Sequence, residues 1–153
     1  MAGVQSAGIL LWRRRDTGIE VFVAHMGGPF WARKDAAAWS IPKGEFSADE
    51  EPLAAARREF AEEIGVAAPE LDYVKLGEFR QPSGKVVIAF AAESEFEVDE
   101  VHSNTFPVEW PPRSGRISEF PEIDRAEWMP VADAEWRLVK GQVPMLAALE
   151  AVT

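Results

Sequence analysis

Apolar positions recur at spacings of three and four along one stretch of the chain. Leu53, Ala56, Phe60 and Ile64 fall on a single stripe of a helix over about residues 48–64. Ser47 followed by Glu50 predicts a capping box, and Pro52 sits early enough to be tolerated in the first turn. Gly65 stands where a left-handed residue ends a helix. The face away from the stripe is acidic, with Glu59, Glu62 and Glu63 inside an arc of about 100°. Elsewhere the apolar runs are short or continuous and predict strands. Residues 4–12 (VQSAGILLW) are apolar enough for burial on both faces, and after a polar turn closed by Gly18, residues 19–24 (IEVFVA) return as a hairpin. A loop over 25–38 precedes a short strand at 39–42. Strands at 71–80 and 85–92 flank the turn Gln81-Pro82-Ser83-Gly84, and an acidic stretch fills 93–100. Residues 101–119 carry three prolines and a glycine and read as irregular, followed by a last strand at 126–129. Two helices, 131–140 and 143–151, flank Gly141. Strands and helices alternate without the regular repeat of a doubly wound fold. The expectation is one α/β domain over 1–153, a mixed sheet with helices on both faces.

Composition sharpens this in two respects. The chain has no cysteine, so disulfides and thiolate metal sites are excluded. Its formal net charge of -10 argues against extended nucleic acid or anionic membrane as a partner, both of which need basic surface. A small anionic polyphosphate is compatible with that charge if a metal ion stands between it and the carboxylates. No basic segment precedes the first apolar run, and the longest such run, 86–92, is far below the ~20 residues of a membrane helix. A cytoplasmic location is expected.

Glu59, Glu62 and Glu63 repel one another at a cost to the helix of a few tenths of a kcal/mol per pair, about 0.2–0.5. Solvation of an acidic face is one answer; binding a hard dication such as Mg²⁺ or Mn²⁺ through carboxylate oxygens is the other. The wider pattern bears on the choice. Gly44, Glu50 and then Arg58-Glu59-Phe60-Ala61-Glu62-Glu63-Ile64-Gly65-Val66 resemble the Nudix box at every fixed position.

The resemblance to Nudix hydrolases implies an α/β/α sandwich with a mixed β-sheet and the box helix packed on it. It implies metal-dependent hydrolysis of a diphosphate linkage in a nucleotide, with Mg²⁺ or Mn²⁺ as cofactor. Carried over by position, Glu59 and Glu63 become metal ligands and Glu62 a ligand or a partner of metal-bound water. The Lys43 carbonyl becomes a further ligand and its ammonium a phosphate contact. Arg58 braces the catalytic helix, alongside Glu50. The general base is expected outside the box at Glu122, six residues before Trp128, with Glu119 and Glu109 as alternatives and the box itself as another. The run Trp39-Ser40-Ile41-Pro42-Lys43-Gly44 resembles members that cleave dinucleoside polyphosphates.

Substrate contacts are expected from Arg113 and Arg116 on distal phosphates. Arg33 and Lys34 are alternatives, and Trp31 or Phe30 would stack on a base. His25 and His102 have no ligand-like spacing and receive no role. Removal of pyrophosphate from RNA 5′ ends and metal-dependent nucleotide binding without turnover are the competing readings. A homodimer is compatible with the sequence.

Overall fold

The computed structural model describes residues 5–153. Strand β1 (Gln5–Arg15) begins at the edge of that range, so position 4 of the expected first strand lies outside the described residues. Its alternating side chains are buried on both sides, as the continuous apolar run requires. It turns into β2 (Gly18–Met26) as an antiparallel hairpin, zipped from Leu11↔Phe22 to Arg15↔Gly18. Beyond Leu11 the two strands part, and one short segment fills the gap. β3 (Trp39–Ser40) pairs with β2, and β4 (Lys43–Glu45) pairs with β1. The single strand expected at 39–42 is therefore two, with Ile41 and Pro42 crossing between partners. This wedge feeds directly into α1 (Pro52–Ile64).

β5 (Val74–Arg80) and β6 (Val86–Glu93) form the second hairpin, closed by the Gly84 N–H on the Gln81 carbonyl. β6 runs parallel to β1, which makes the sheet mixed. β9 (Ile123–Pro130) covers the far edge of β2. The sheet has seven strands, in the order β3-β2-β1-β6-β5 with β4 on β1 and β9 on β2.

Residues 105–121, read as mostly irregular, form a second antiparallel sheet: β7 (Thr105–Glu109) and β8 (Ile117–Pro121). Their prolines hid the alternation. Pro107 and Pro121 lie on exposed strands of a two-stranded sheet, where a missing donor costs least.

Each face of the main sheet carries a core. Ile9, Leu11, Phe22 and Ala24 meet Ala55, Ala56, Phe60 and Ile64 of α1. Leu10, Val21 and Val23 meet Ala134 of α2 (Val131–Arg137), Leu138, and Met145, Leu146 and Leu149 of α3 (Pro144–Val152). The expected helix over 131–140 is shorter; a 3-10 turn, Lys140–Gln142, comes after it. Among the described residues no helix is long and apolar enough to cross a membrane.

The start of α1 corrects one expectation. The helix begins at Pro52 with Glu51 as its cap, and no side chain caps it. Ser47 instead receives the Glu50 N–H on its backbone carbonyl in a turn. The Glu50 carboxylate, which the capping box would need, is taken by Arg58. A charge-assisted, two-pronged guanidinium contact outcompetes one hydrogen bond to a backbone N–H. The other end behaves as expected. Gly65 is left-handed (φ 95°), and its N–H closes on the Ala61 carbonyl.

Candidate active site

The site lies where β1 and β2 diverge, a place where splayed strands leave room for a ligand in many α/β sheets. The wedge segment presents Lys43 and Gly44 to the exposed face of α1. Burial of the opposite face, with Phe60 and Ile64 fully inside, fixes the rotation of the helix and so aims Glu59, Glu62 and Glu63 at the wedge.

Gly44 and Glu59 are in direct contact. A Cβ at position 44 would overlap the Glu59 carboxyl group, so only glycine leaves the carboxylate its place. Glu63 accepts the Lys43 backbone N–H at 3.2 Å. Arg58 holds the remaining acids. Its Nε and Nη2 fork onto Glu50 at 2.9 Å each, and Nη1 reaches Glu59 at 2.8 Å and Glu62 at 3.4 Å. Arg58 is thus both an i,i+4 partner of Glu62 and an ion-pair partner of Glu50.

The electrostatics are those of too much negative charge in too little water. Burial pushes the Glu63 carboxyl up to about 8; the Lys43 N–H opposes this, while Glu59 and Glu122 add to it. Burial also raises Glu59, against the pull of Arg58 and with Glu62 adding repulsion. Among these acids Arg58 is held more firmly protonated, and its hydrogen bonds keep Glu50 well below the usual carboxylate range.

Among the described residues no three His, Asp or Glu side chains stand close enough together to hold an ion. Arg58 Nη1 stands between Glu59 and Glu62. The donor chemistry nonetheless fits a hard dication. Two carboxyls that burial drives toward neutrality, with a third on the same face, are oxygen donors in need of positive charge.

The expected bases separate. Glu109 accepts the Arg113 N–H at the tip of the β7–β8 hairpin, and Glu119 lies mid-strand opposite Pro107. Glu122, between β8 and β9, is the one whose charge reaches Glu63. A chain of backbone hydrogen bonds puts it there. The Glu62 carbonyl accepts from Asn104 N–H, the Asn104 carbonyl from Glu122 N–H, and the Glu122 carbonyl from Gly27 N–H. The His102 N–H satisfies the Ile64 carbonyl in the same way. Two of the orphan carbonyls at the end of α1 thus dock residues 102 and 104 ahead of β7, and the Asn104 carbonyl in turn receives the Glu122 N–H.

Arg113 and Arg116 are exposed at the hairpin tip, with no ion-pair partner among the described residues. Arg116 is five positions from Pro121, about 17 Å along the chain at strand rise. Trp31 leans on the core that faces α2 and α3, with the Lys34 ammonium 5.3 Å from its ring centroid. Phe30 and Trp110 are both exposed and meet edge to face at 5.4 Å. Phe30 is on the early loop and Trp110 on the hairpin.

Two supporting residues left no mark in the sequence. Gln142, fully buried, accepts the Ile41 N–H at 2.9 Å and donates to Ser40 Oγ at 2.9 Å, which clamps the wedge just before Lys43. His25, also fully buried, joins Asp124 to the Lys34 carbonyl. An apolar groove lined by Val143, Leu146 and Glu150 lies with α3 on the opposite face of the sheet.

Comparison with known proteins agrees with this fold. A family model described as the NUDIX domain matches residues 4–149. No curated protein matches the sequence. Among solved structures, a Caenorhabditis elegans Ap4A hydrolase in a binary complex is 20% identical with a TM-score of 0.66, covering 98% of this chain and 97% of its own. The NUDIX domain of Shewanella oneidensis NrtR, complexed with ADP ribose, is 17% identical with a TM-score of 0.66, covering 100% and 90%. The Nudix hydrolase RenU of M. smegmatis is 21% identical with a TM-score of 0.62, covering 97% and 84%.

Proposed function

The chain belongs to the NUDIX domain family of pyrophosphohydrolases, and from that premise we propose that it cleaves a diphosphate linkage in a dinucleoside polyphosphate or a nucleoside di- or triphosphate. The observation that carries the proposal is the pair of half-buried carboxyls at Glu59 and Glu63, both pushed up by desolvation, beside the Lys43–Gly44 wedge. Such a pair is costly to maintain unless a cation joins it.

Glu59, Glu62, Glu63 and the Lys43 carbonyl would hold Mg²⁺ or Mn²⁺. When bound, the ion neutralises phosphate charge and lowers the pKa of water. The protein supplies the rest. Gly44 leaves space for the Glu59 carboxylate, and Lys43 N–H orients Glu63. Arg58 keeps Glu50, Glu59 and Glu62 in register. Glu122 takes a proton from the attacking water, Glu62 and Glu63 being the alternative within the box. The Lys43 ammonium contacts phosphate next to the scissile bond.

Arg113 and Arg116 suit a substrate long enough to reach the hairpin tip, such as one with a second nucleoside. Base stacking is better served by exposed Phe30 and Trp110 than by Trp31, which is leaned on by Lys34. The likeness to the Ap4A hydrolase supports the fold; the dinucleoside reading comes from the two unpaired arginines and from the Trp39–Gly44 run.

The test is product release across dinucleoside polyphosphates, nucleoside di- and triphosphates, nucleotide sugars and 5′-triphosphorylated RNA, with Mg²⁺ and with Mn²⁺. Glu63→Gln runs alongside wild type. Turnover of one nucleotide class with a loss of at least about 100-fold in the variant supports the proposal. Metal-dependent nucleotide binding with no turnover would overturn it in favour of a binding module.

A further inference from the structure

β2 and β9 are in regular antiparallel register from Glu20↔Pro130 to His25↔Arg125, and then slip: the next pair is Met26↔Ile123. Asp124 is the extra residue of a β-bulge. Bulges re-aim the side chains beside them, and Glu122 lies just N-terminal to this one. The bulge is not left to itself. Asp124 Oδ1 lies 2.8 Å from His25 Nδ1, while His25 Nε2 lies 2.7 Å from the Lys34 carbonyl oxygen. Each ring nitrogen thus has one oxygen partner, one on the bulge and one on the loop.

His25 is fully buried, and its ring packs edge-on to Trp39 at 5.1 Å between centroids. Trp39 is held in turn by Asp35 at 2.7 Å, with Arg125 over its face. One imidazole therefore ties the bulge of β9 to the 27–37 loop and to the β3 end of the wedge. Directly past the bulge, Gly27 N–H donates to the Glu122 carbonyl at 2.8 Å.

We propose that His25, acting with Asp124, is a positioning residue for Glu122: its two hydrogen bonds hold the bulge that sets Glu122 against the box helix. This gives a role to a histidine that has no hydrogen bond to Glu59, Glu62, Glu63 or Glu122. The kinetic part rests on the pyrophosphohydrolase reading; the backbone part does not.

The test uses His25→Gln, which donates at one end only, and Asp124→Ala, which removes the acceptor from a half-exposed side chain and spares the core. Amide hydrogen exchange is read first. Gly27 and Glu122 amides should exchange at least about tenfold faster in both variants, with the Phe60 amide in α1 unchanged. General destabilisation would raise all three together. In the activity assay kcat should fall about tenfold or more with KM within about threefold. His25→Gln combined with Glu122→Gln should be no slower than Glu122→Gln alone, because a residue acting through Glu122 has nothing left to position. Unchanged protection at Gly27 and Glu122, or kinetic losses that multiply in the double variant, would overturn the proposal. If no substrate is turned over at all, the exchange result alone decides it.

Discussion

Replacing Glu63 by glutamine removes a carboxyl that burial holds protonated up to about pH 8. In the unfolded chain the same group releases its proton near its ordinary 4.5. Between these values the native state binds the extra proton, so ΔG of unfolding falls as pH rises. The contribution is present in full below about 4.5 and lost above about 8. At about 1.36 kcal/mol per pH unit, that interval corresponds to about 5 kcal/mol, an upper limit once water and ions relax around the charge.

Glutamine keeps the shape and cannot ionise, so the variant escapes this loss. For a chain of this size about 5 kcal/mol is about 10–20 °C in Tm. Thermal unfolding in chelator should give matching Tm values near pH ~5, and a variant about 10 °C more stable near pH ~8.5. Saturating Mg²⁺ should raise the wild type at the higher pH and leave Glu63→Gln nearly unmoved, since a ligand stabilises only the state it binds. A gap between the two proteins that does not change with pH would refute the argument. So would a variant that Mg²⁺ stabilises as much as wild type.

The same geometry predicts three further outcomes. Gly44→Ala puts a methyl group into the Glu59 carboxyl and should weaken Mg²⁺ binding, read by calorimetry, at least about tenfold. Arg58→Lys keeps the charge and loses the fork onto Glu50, and kcat/KM should fall about 10–100-fold with the fold retained by circular dichroism. Phe60→Ala empties the centre of the α1-facing core and should cost about 3–5 kcal/mol in urea unfolding, without touching any carboxylate.

The box helix, its acidic face and its glycine stop were legible because their causes are local. A 3.6-residue period decides which side chains share a face, and Gly65 ends the helix through its own backbone. Strands β1, β2, β5 and β6 were legible for the same reason. The capping box failed because Glu50 had a stronger partner eight residues away in Arg58, and no local rule weighs that competition. The β7–β8 hairpin was missed because three prolines outvoted a weak alternation that only cross-strand pairing makes visible.

Tertiary structure decided how the carboxylates are placed and what they feel. Glu63 is driven up because packing of Phe60 and Ile64 turns it inward against Lys43, and burial is a property of the folded chain. Glu122 was one acid among many in the sequence. Backbone hydrogen bonds running from Glu62 through Asn104 to Gly27 fix its place beside the end of α1. His25 and Asp124 meet across 99 residues of chain, and Gln142 meets Ile41 across 101. Residue types in order along the chain determined the family, since the residues that carry its motif, Gly44 to Val66, are contiguous in sequence. Which groups surround those residues was left to packing, because burial and long-range hydrogen bonds have no period that a sequence can display.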